Sequence, residues 1–352
     1  MRDWLESAEA IGVVDAALAG VGLTHGKRTT RTGAWKDGER IRPPRGPNAA
    51  SAKGREAGAP GVLSVPAWEK LAWLRAGFST RQGGVSTAYG DGELNLGWTK
   101  EDDPAIVARN RRRFVQAVVG KSKVELATVR QFHSGMIRII EENHGPLVKP
   151  DGRAVLRGDG LTTDVPGILL GVQTADCIPV LVADKRTRAV AAFHAGWRGT
   201  LARIVERGIG TMRLRYGSRP EDLVAAVGPG IGACCYAVGE EVRFEFESQF
   251  AYAPDLFTEV YDSDPVREKY PLLFLTARAP GHSNIGPQIH IDLWEANRRQ
   301  LLDAGVPTKN ITVTGECSGC AHGKNGQRRY FSHRMEHGYT GRMMAVIGVA
   351  GR

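Results

Sequence analysis

Residues 62–352 predict a layered α+β fold. Three observations carry that expectation. Amphipathic stripes of helical period recur, short β-branched runs stand between them, and the two do not alternate in regular βαβ order. No internal repeat is present.

Taken from the N-terminus, residues 1–25 carry Trp4, Leu5, Ile11 and Val14 at spacings that predict a short amphipathic helix. Residues 26–60 lose apolar periodicity and collect Gly, Pro, Ser, Lys and Arg. That composition buries too little surface to offset the entropy of ordering, and it predicts a basic, disordered arm. Residues 1–61 therefore read as an N-terminal extension and 62–352 as a single globular domain. Asp103 followed by Pro104 reads as an N-cap and a first-turn residue. The helix after it sets Val107, Phe114 and Val118 on one face, with Asn110 at the missing step. Strand-like runs follow at Val124 to Gln131, Ile137 to Ile140, Ile168 to Gln173, Pro179 to Val182 and Ala189 to Phe193. A second helix is expected from Thr200, carrying Leu201, Ile204, Val205, Ile209, Met212 and Tyr216, and ending at Gly217. Val224 to Val227 is a further strand, a third helix runs from Asp292 to Gly305, and strands at Ile311 to Val313 and Met344 to Val349 complete the series.

The 352 residues include 47 Lys and Arg against 38 acids, for a net charge of +9. Residues 26–55 alone hold nine basic side chains and two acids, so the rest of the chain is nearly neutral. A basic total thus gives no ground for a nucleic-acid partner, although an arm that touches RNA, or a redox-linked binding role, stands as a third class of function. No apolar run approaches the roughly 20 residues of a membrane span. The acids before Ile11 to Leu23 are the wrong flank for a signal peptide. Five cysteines, an odd number, fit a reducing cytoplasm better than a disulfide framework.

His133, Cys177 and His194 each stand just beyond a strand-like run. Two imidazoles and a thiolate suit zinc, and three protein ligands leave one tetrahedral position for water or substrate. The spacings match no compact metal signature, so on spacing alone a core cysteine with two satisfied histidines is the favoured account. Cys177 also reads as a nucleophile with His194 or His133 as its base, which is the chemistry of a Cys-His hydrolase or amidase. The glycine-rich turn Ala195-Gly-Trp-Arg-Gly199 enters the helix expected at Thr200. Its free N–H groups together with Arg198 form a candidate anion site.

Other motifs carry less. Gly228-Pro-Gly-Ile-Gly-Ala-Cys-Cys235 has the wrong glycine spacing for a dinucleotide fingerprint. Adjacent Cys234 and Cys235 are poor joint ligands for one metal. Cys317-Ser-Gly-Cys320 lacks a second well-spaced pair; it fits a redox pair, half a zinc site or a turn, and reads best as a turn. His333-Arg-Met-Glu336-His337 fits the inverted zinc-protease pattern, yet no acid follows Glu336, so the match is accidental.

Several strings occur together in one order: Gly77-Phe-Ser-Thr-Arg81-Gln-Gly-Gly-Val85, Leu94-Asn95-Leu-Gly97, Asn110-Arg-Arg-Arg113 and Gln131-Phe-His133. Gly171-Val-Gln-Thr-Ala-Asp-Cys177-Ile-Pro179, His194-Ala-Gly-Trp-Arg-Gly199, Gly228 to Tyr236, Cys317 to Cys320 and Phe331 to Arg342 follow. Over residues 62–350 the chain resembles the laccase-domain, or multicopper polyphenol oxidase, family of purine nucleoside phosphorylases with adenosine deaminase activity.

The resemblance implies an α/β/β/α sandwich with mixed sheets, similar to toxin-type cysteine deamidases. It implies one zinc held by His133, Cys177 and His194. Inosine, adenosine, guanosine and methylthioadenosine, with phosphate, are the implied substrates. Ser134 and His333 depart from the family pattern. Nine histidines with no H-x-H pair cannot furnish a four-copper centre, so the multicopper reading fails. For the reaction, Arg81 is the first candidate to grip phosphate and Arg198 the second. Asn95 and Asn110 are candidates to orient ribose or base, with loop capping as their other account. Asp176 is the candidate proton carrier, or a brace for a ligating histidine. A cytoplasmic monomer is expected.

Overall fold

The computed structural model describes residues 58–260, 288–323 and 326–351. The chain divides into two units, Met1–Lys53 and Gly54–Arg352. The helix expected in residues 1–25 and nearly all of the basic arm lie outside the described residues.

The second unit begins with β1 (Val62–Leu63), β2 (Leu74–Ser79) and β3 (Gln82–Ser86), followed by α1 (Pro104–Val119). Next come β4 (Glu125–Thr128), β5 (Ile137–Ile139), β6 (Gly160–Thr163), β7 (Ile168–Thr174), β8 (Ile178–Asp184) and β9 (Val190–Ala195). Two helices, α2 (Trp197–Leu201) and α3 (Ile204–Tyr216), lead to β10 (Leu223–Val227), β11 (Ala237–Val238) and α4 (Glu240–Gln249). The last elements are β12 (Phe257–Val260), β13 (Gln288–Ile291), α5 (Leu293–Asp303), β14 (Ile311–Val313) and β15 (Met343–Val349).

A five-stranded sheet in the order β1-β2-β15-β7-β4 faces a six-stranded sheet in the order β14-β10-β8-β9-β6-β5, and a three-stranded sheet, β11-β13-β12, lies to one side. Both large sheets mix parallel and antiparallel pairs. Strand periodicity explains the layering. In β15, Ala345, Ile347 and Val349 join Leu181, Ala183, Val190 and Ala192 of the other sheet in a shared core. The alternate residues Met344 and Val346 pack outward with Phe114 of α1. On the far side, Ile178, Val180 and Val182 of β8 meet Ile204, Ile209 and Met212 of α3 and Leu301 of α5. The result is helix, sheet, sheet, helix. Strands covered on both faces read as continuous apolar runs, which is why β8 and β15 were legible from sequence.

Asp103 caps α1 by accepting from the Ala105 N–H at 2.7 Å, with Pro104 in the first turn. Asp292 caps α5 in the same way through the Glu295 N–H at 3.0 Å. The helix expected from Thr200 differs. It starts at Trp197 and is interrupted at Arg203, whose backbone is left-handed with φ 56°. Arg203 pairs with Glu206 one turn on and is held by the Gln249 carbonyl and the Phe250 ring, two distant contacts that no local pattern announces. Local pattern also leaves β1, β2, β3, β6, β11, β12, β13 and α4 unannounced. Gly160 and Gly77 interrupt β-propensity in two of them.

Candidate active site

Three connections meet at one end of the sandwich. The parallel strands β4 and β7 both end there, and β9 ends beside them. The loop after β4 carries His133, the β7–β8 turn carries Asp176 and Cys177, and His194 is the penultimate residue of β9. One ligating atom from each of His133, Cys177 and His194 lies within 4.8 Å of the others. The two imidazoles meet edge to face with ring centroids 5.0 Å apart. His133 and Asp176 both have positive φ, 63° and 91°, so the chain bends sharply on either side of the cluster. Gly196 permits the close approach. A Cβ there would stand 2.8 Å from Cys177 Sγ and 3.1 Å from His133 Cδ2.

The sequence reading missed Asp159, the residue that organises this cluster. It is fully buried, and its Oδ1 pairs with His194 Nδ1 at 2.9 Å. It also accepts from the backbone N–H groups of His133 at 3.0 Å and Ser134 at 2.7 Å, and from the Ser134 hydroxyl at 2.7 Å. Asp159 therefore shapes the loop that presents His133. By engaging Nδ1 it also leaves Nε2 of His194 as the free ligating nitrogen. Ser134 is thereby given a role as a donor to Asp159. The available signal was an acid between two glycines, Gly158-Asp159-Gly160, at the start of β6.

The charges follow from this geometry. Burial raises the Cys177 thiol, but the positive His194 and hydrogen bonds from both imidazoles outweigh it and bring the pKa to about 6. Burial lowers His194, yet the Cys177 thiolate and the Asp159 hydrogen bond raise it to about 9. Without metal the pair is thus a thiolate beside an imidazolium near neutral pH. In the unfolded chain, between pH 6.5 and 9, the same two groups are a neutral thiol and a neutral imidazole. Folded and unfolded states then bind equal numbers of protons, so this pair adds no pH slope to stability there. The thiolate itself is measurable. In metal-stripped protein, the ultraviolet thiolate absorbance lost in Cys177→Ser should rise with pH through a midpoint near 6. A midpoint near the ordinary 9 would mean that the pair is not formed.

All three candidate ligands line a cavity of about 740 Å³. Its wall is strongly cationic, with Arg130, Lys149, Arg153, Arg198, Arg334 and Arg342 against Asp151 and Asp176. Trp98, Trp197 and Tyr236 add aromatic surface. Among the described residues, neither Arg130 nor Arg198 has a carboxylate within ion-pair distance. Arg198 stacks on the neighbouring Trp197 ring at 4.2 Å. The helix that begins at Trp197 has five residues, too short for a substantial dipole, so an anion there would rest on the Arg198 side chain.

The structure does not bring Arg81, Asn95 and Asn110 into the cavity. Arg81 is clamped between Glu93 and Glu336 and lies over the Phe331 ring at 4.7 Å. With both carboxylates engaged, its fork has no vacancy for phosphate. Asn95 accepts from the N–H groups of Gly97 at 3.0 Å and Arg342 at 2.9 Å and donates to Asp102 at 2.8 Å. Asn110 accepts from the Val85 N–H at 2.9 Å and donates to Ser86 Oγ at 2.8 Å. Both are fully buried braces of the 82–97 region. Asp176 does line the cavity but braces no histidine: it accepts from the Ser318 hydroxyl and the Arg334 N–H, each at 2.7 Å. Glu336 also accepts from the Ser332 N–H and the Thr340 hydroxyl, and the His333–His337 stretch is a run of turns. The protease-like match is accidental in three dimensions too.

A family model described as multi-copper polyphenol oxidoreductase laccase matches residues 75–350. The chain belongs to this family. Within the family it is 36% identical over 275 residues to a protein named purine nucleoside phosphorylase from Deinococcus radiodurans, covering 78% of this chain and 89% of that one. It is 32% identical over 289 residues to "Purine nucleoside phosphorylase YlmD" from Geobacillus stearothermophilus, covering 80% and 95%. A protein named adenosine deaminase RL5, from an unknown prokaryotic organism, is 33% identical over 246 residues, 70% of this chain and 84% of its own. Among solved structures, YfiH of Bacillus licheniformis superposes with a TM-score of 0.67 at 29% identity, over 83% of this chain and 97% of that one. The family's α+β architecture is thus this chain's own.

Proposed function

We propose that this chain is a zinc-dependent purine nucleoside phosphorylase that also deaminates adenosine. One observation carries the reading: a cationic, aromatic-lined cavity opens onto a donor set of two imidazoles and a thiolate. The donors fit zinc in type and number, and the Cys177 thiolate form is favoured near neutral pH, as a ligand requires. His133, Cys177 and His194 would hold the ion, which supplies Lewis acidity beside the substrate when bound. The names of the relatives agree with this substrate class.

The remaining work falls to side chains of the wall. Phosphorolysis needs phosphate held against the ribose anomeric carbon while the bond to the purine breaks. Arg198 and Arg130, unpaired with acids among the described residues, are suited to grip the phosphate oxygens. Trp98, Trp197 and Tyr236 offer flat apolar faces for the purine. The departing base must gain a proton. Asp176 is already held by the Ser318 hydroxyl and the Arg334 N–H, so His333 on the same wall is the candidate to supply it.

The test is purified protein with inosine or adenosine, with and without phosphate, followed by separation of products. Hypoxanthine and adenine should appear only with phosphate, and ammonia should be released more slowly from adenosine. Full base release without phosphate would make the protein a hydrolase, and no turnover of any nucleoside by zinc-replete protein would defeat the assignment. Arg198→Ala should raise the KM for phosphate about 10-fold or more, the worth of a charged hydrogen bond. It should leave deamination, which uses no phosphate, close to wild type. Equal loss of both activities would mean that Arg198 shapes the cavity rather than holding the anion.

One arrangement favours a second reading. Cys177, His194 and Asp159 stand in the order nucleophile, base and orienting acid, as in a Cys-His amidase. Metal removal separates the two: stripped protein should lose turnover and regain it with zinc, whereas a cysteine nucleophile would stay active and be blocked by alkylation.

A further inference from the structure

Four of the five cysteines lie outside the candidate active site, and the fold gathers them. Cys234 and Cys235 occupy the turn between β10 and β11, and Cys317 and Cys320 follow β14. All four sulfurs lie within 4.8 Å of one another, with Cys234 and Cys320 Sγ 3.5 Å apart. All four thiols are free. Residues 318–320 do form the expected turn, and that turn sets the Cys317 and Cys320 sulfurs beside those of Cys234 and Cys235. Gly232 accepts from the N–H groups of both Cys235 and Tyr236, a tight turn that brings the neighbouring sulfurs within reach of the same centre.

The dimensions match a metal rather than a disulfide. Zinc–sulfur bonds of about 2.3 Å in a tetrahedron set sulfur–sulfur edges of about 3.8 Å. A disulfide needs about 2.05 Å. The buried Cys317 sulfur also accepts backbone N–H groups from Gly232 at 3.2 Å and Gly319 at 3.3 Å. Paired N–H donors aimed at one sulfur stabilise a thiolate, the form that ligates metal. The Arg328 guanidinium binds the Gly319 carbonyl and so places positive charge beside the four sulfurs.

We propose that Cys234, Cys235, Cys317 and Cys320 form a second metal site, an all-thiolate tetrahedral centre for a zinc-class ion. Its four ligands close the coordination sphere, so its role is structural. The centre ties two loops to the cavity wall. Ser318, between two ligands, holds Asp176, and Tyr236, next to Cys235, lines the cavity. This inference does not depend on the reaction assigned to the first site.

Elemental analysis of the full chain, purified without added metal, should find about two zinc ions per chain. Cys177→Ala should retain about one, and Cys320→Ser should also fall to about one by losing the other ion. Cobalt-substituted Cys177→Ala should keep intense thiolate-to-cobalt charge-transfer bands, which a site of nitrogen and oxygen ligands cannot give. A Cys177→Ala protein devoid of metal, or cysteines 234, 235, 317 and 320 found joined as disulfides after alkylation and mass analysis, would overturn the proposal. Both readings use Cys177→Ala on otherwise unaltered thiols, so they stand even if Cys320→Ser fails to fold.

Discussion

Cys177→Ala should abolish the active-site metal and phosphorolysis together. The thiolate is the one anionic donor of the set, and without it two imidazoles alone face a cationic wall. Such a pair holds zinc poorly. Lewis-acid stabilisation worth several kcal/mol then disappears, a fall in kcat/KM on the order of 10³-fold or more. Metal content and turnover should be measured on the same preparation. A variant that keeps all the wild-type zinc but loses turnover would show that Cys177 is not a ligand and would favour the nucleophile reading.

Asp159→Asn should weaken metal binding about 10–100-fold, although Asp159 touches no substrate. The substituted amide has the wrong polarity: one side would present N–H donors to the N–H groups of His133 and Ser134 that now donate to the carboxylate. Breaking the buried pair with His194 adds a stability loss of about 3 kcal/mol. The pH response identifies the cause. Burial pushes the Asp159 carboxyl up, but the His194 and Ser134 hydrogen bonds outweigh this and bring it from 3.8 down to about 2. A depressed carboxyl contributes stability that is present above pH 3.8 and is lost as pH falls through about 2. Thermal unfolding midpoints of wild type and Asp159→Asn should therefore converge between those values. A gap that stays constant down to pH 2 would mean that the substitution acts through packing alone.

The three donors stood out as candidates because each sits beyond an apolar strand run, but only the order of motifs along the chain joined them into one set. Asp159 offered no such contrast. Its role is defined by residues 26 and 35 positions away, and a lone acid between glycines reads as a turn. Arg81 erred in the other direction. A glycine-flanked arginine looks free to bind an anion until Glu336, 255 residues on, is found against it. The cysteines repeat the lesson: each pair alone is unconvincing, and only the crossing of the β10–β11 turn over the loop after β14 makes a set of four.

The layered α+β class, most strands of the two large sheets and the capped start at Asp103 were set by local pattern, and the sandwich and the donor triad by motif order. Those features depend on the alternation of apolar side chains and on short-range capping, which adjacent residues encode. Which charges are free and which are spent was decided only by the tertiary structure. Arg198 faces the cavity while Arg81 is neutralised, and Asp159 rather than Asp176 orients a histidine. A charge takes its function from its partners, and here those partners meet through strand pairing across the whole chain.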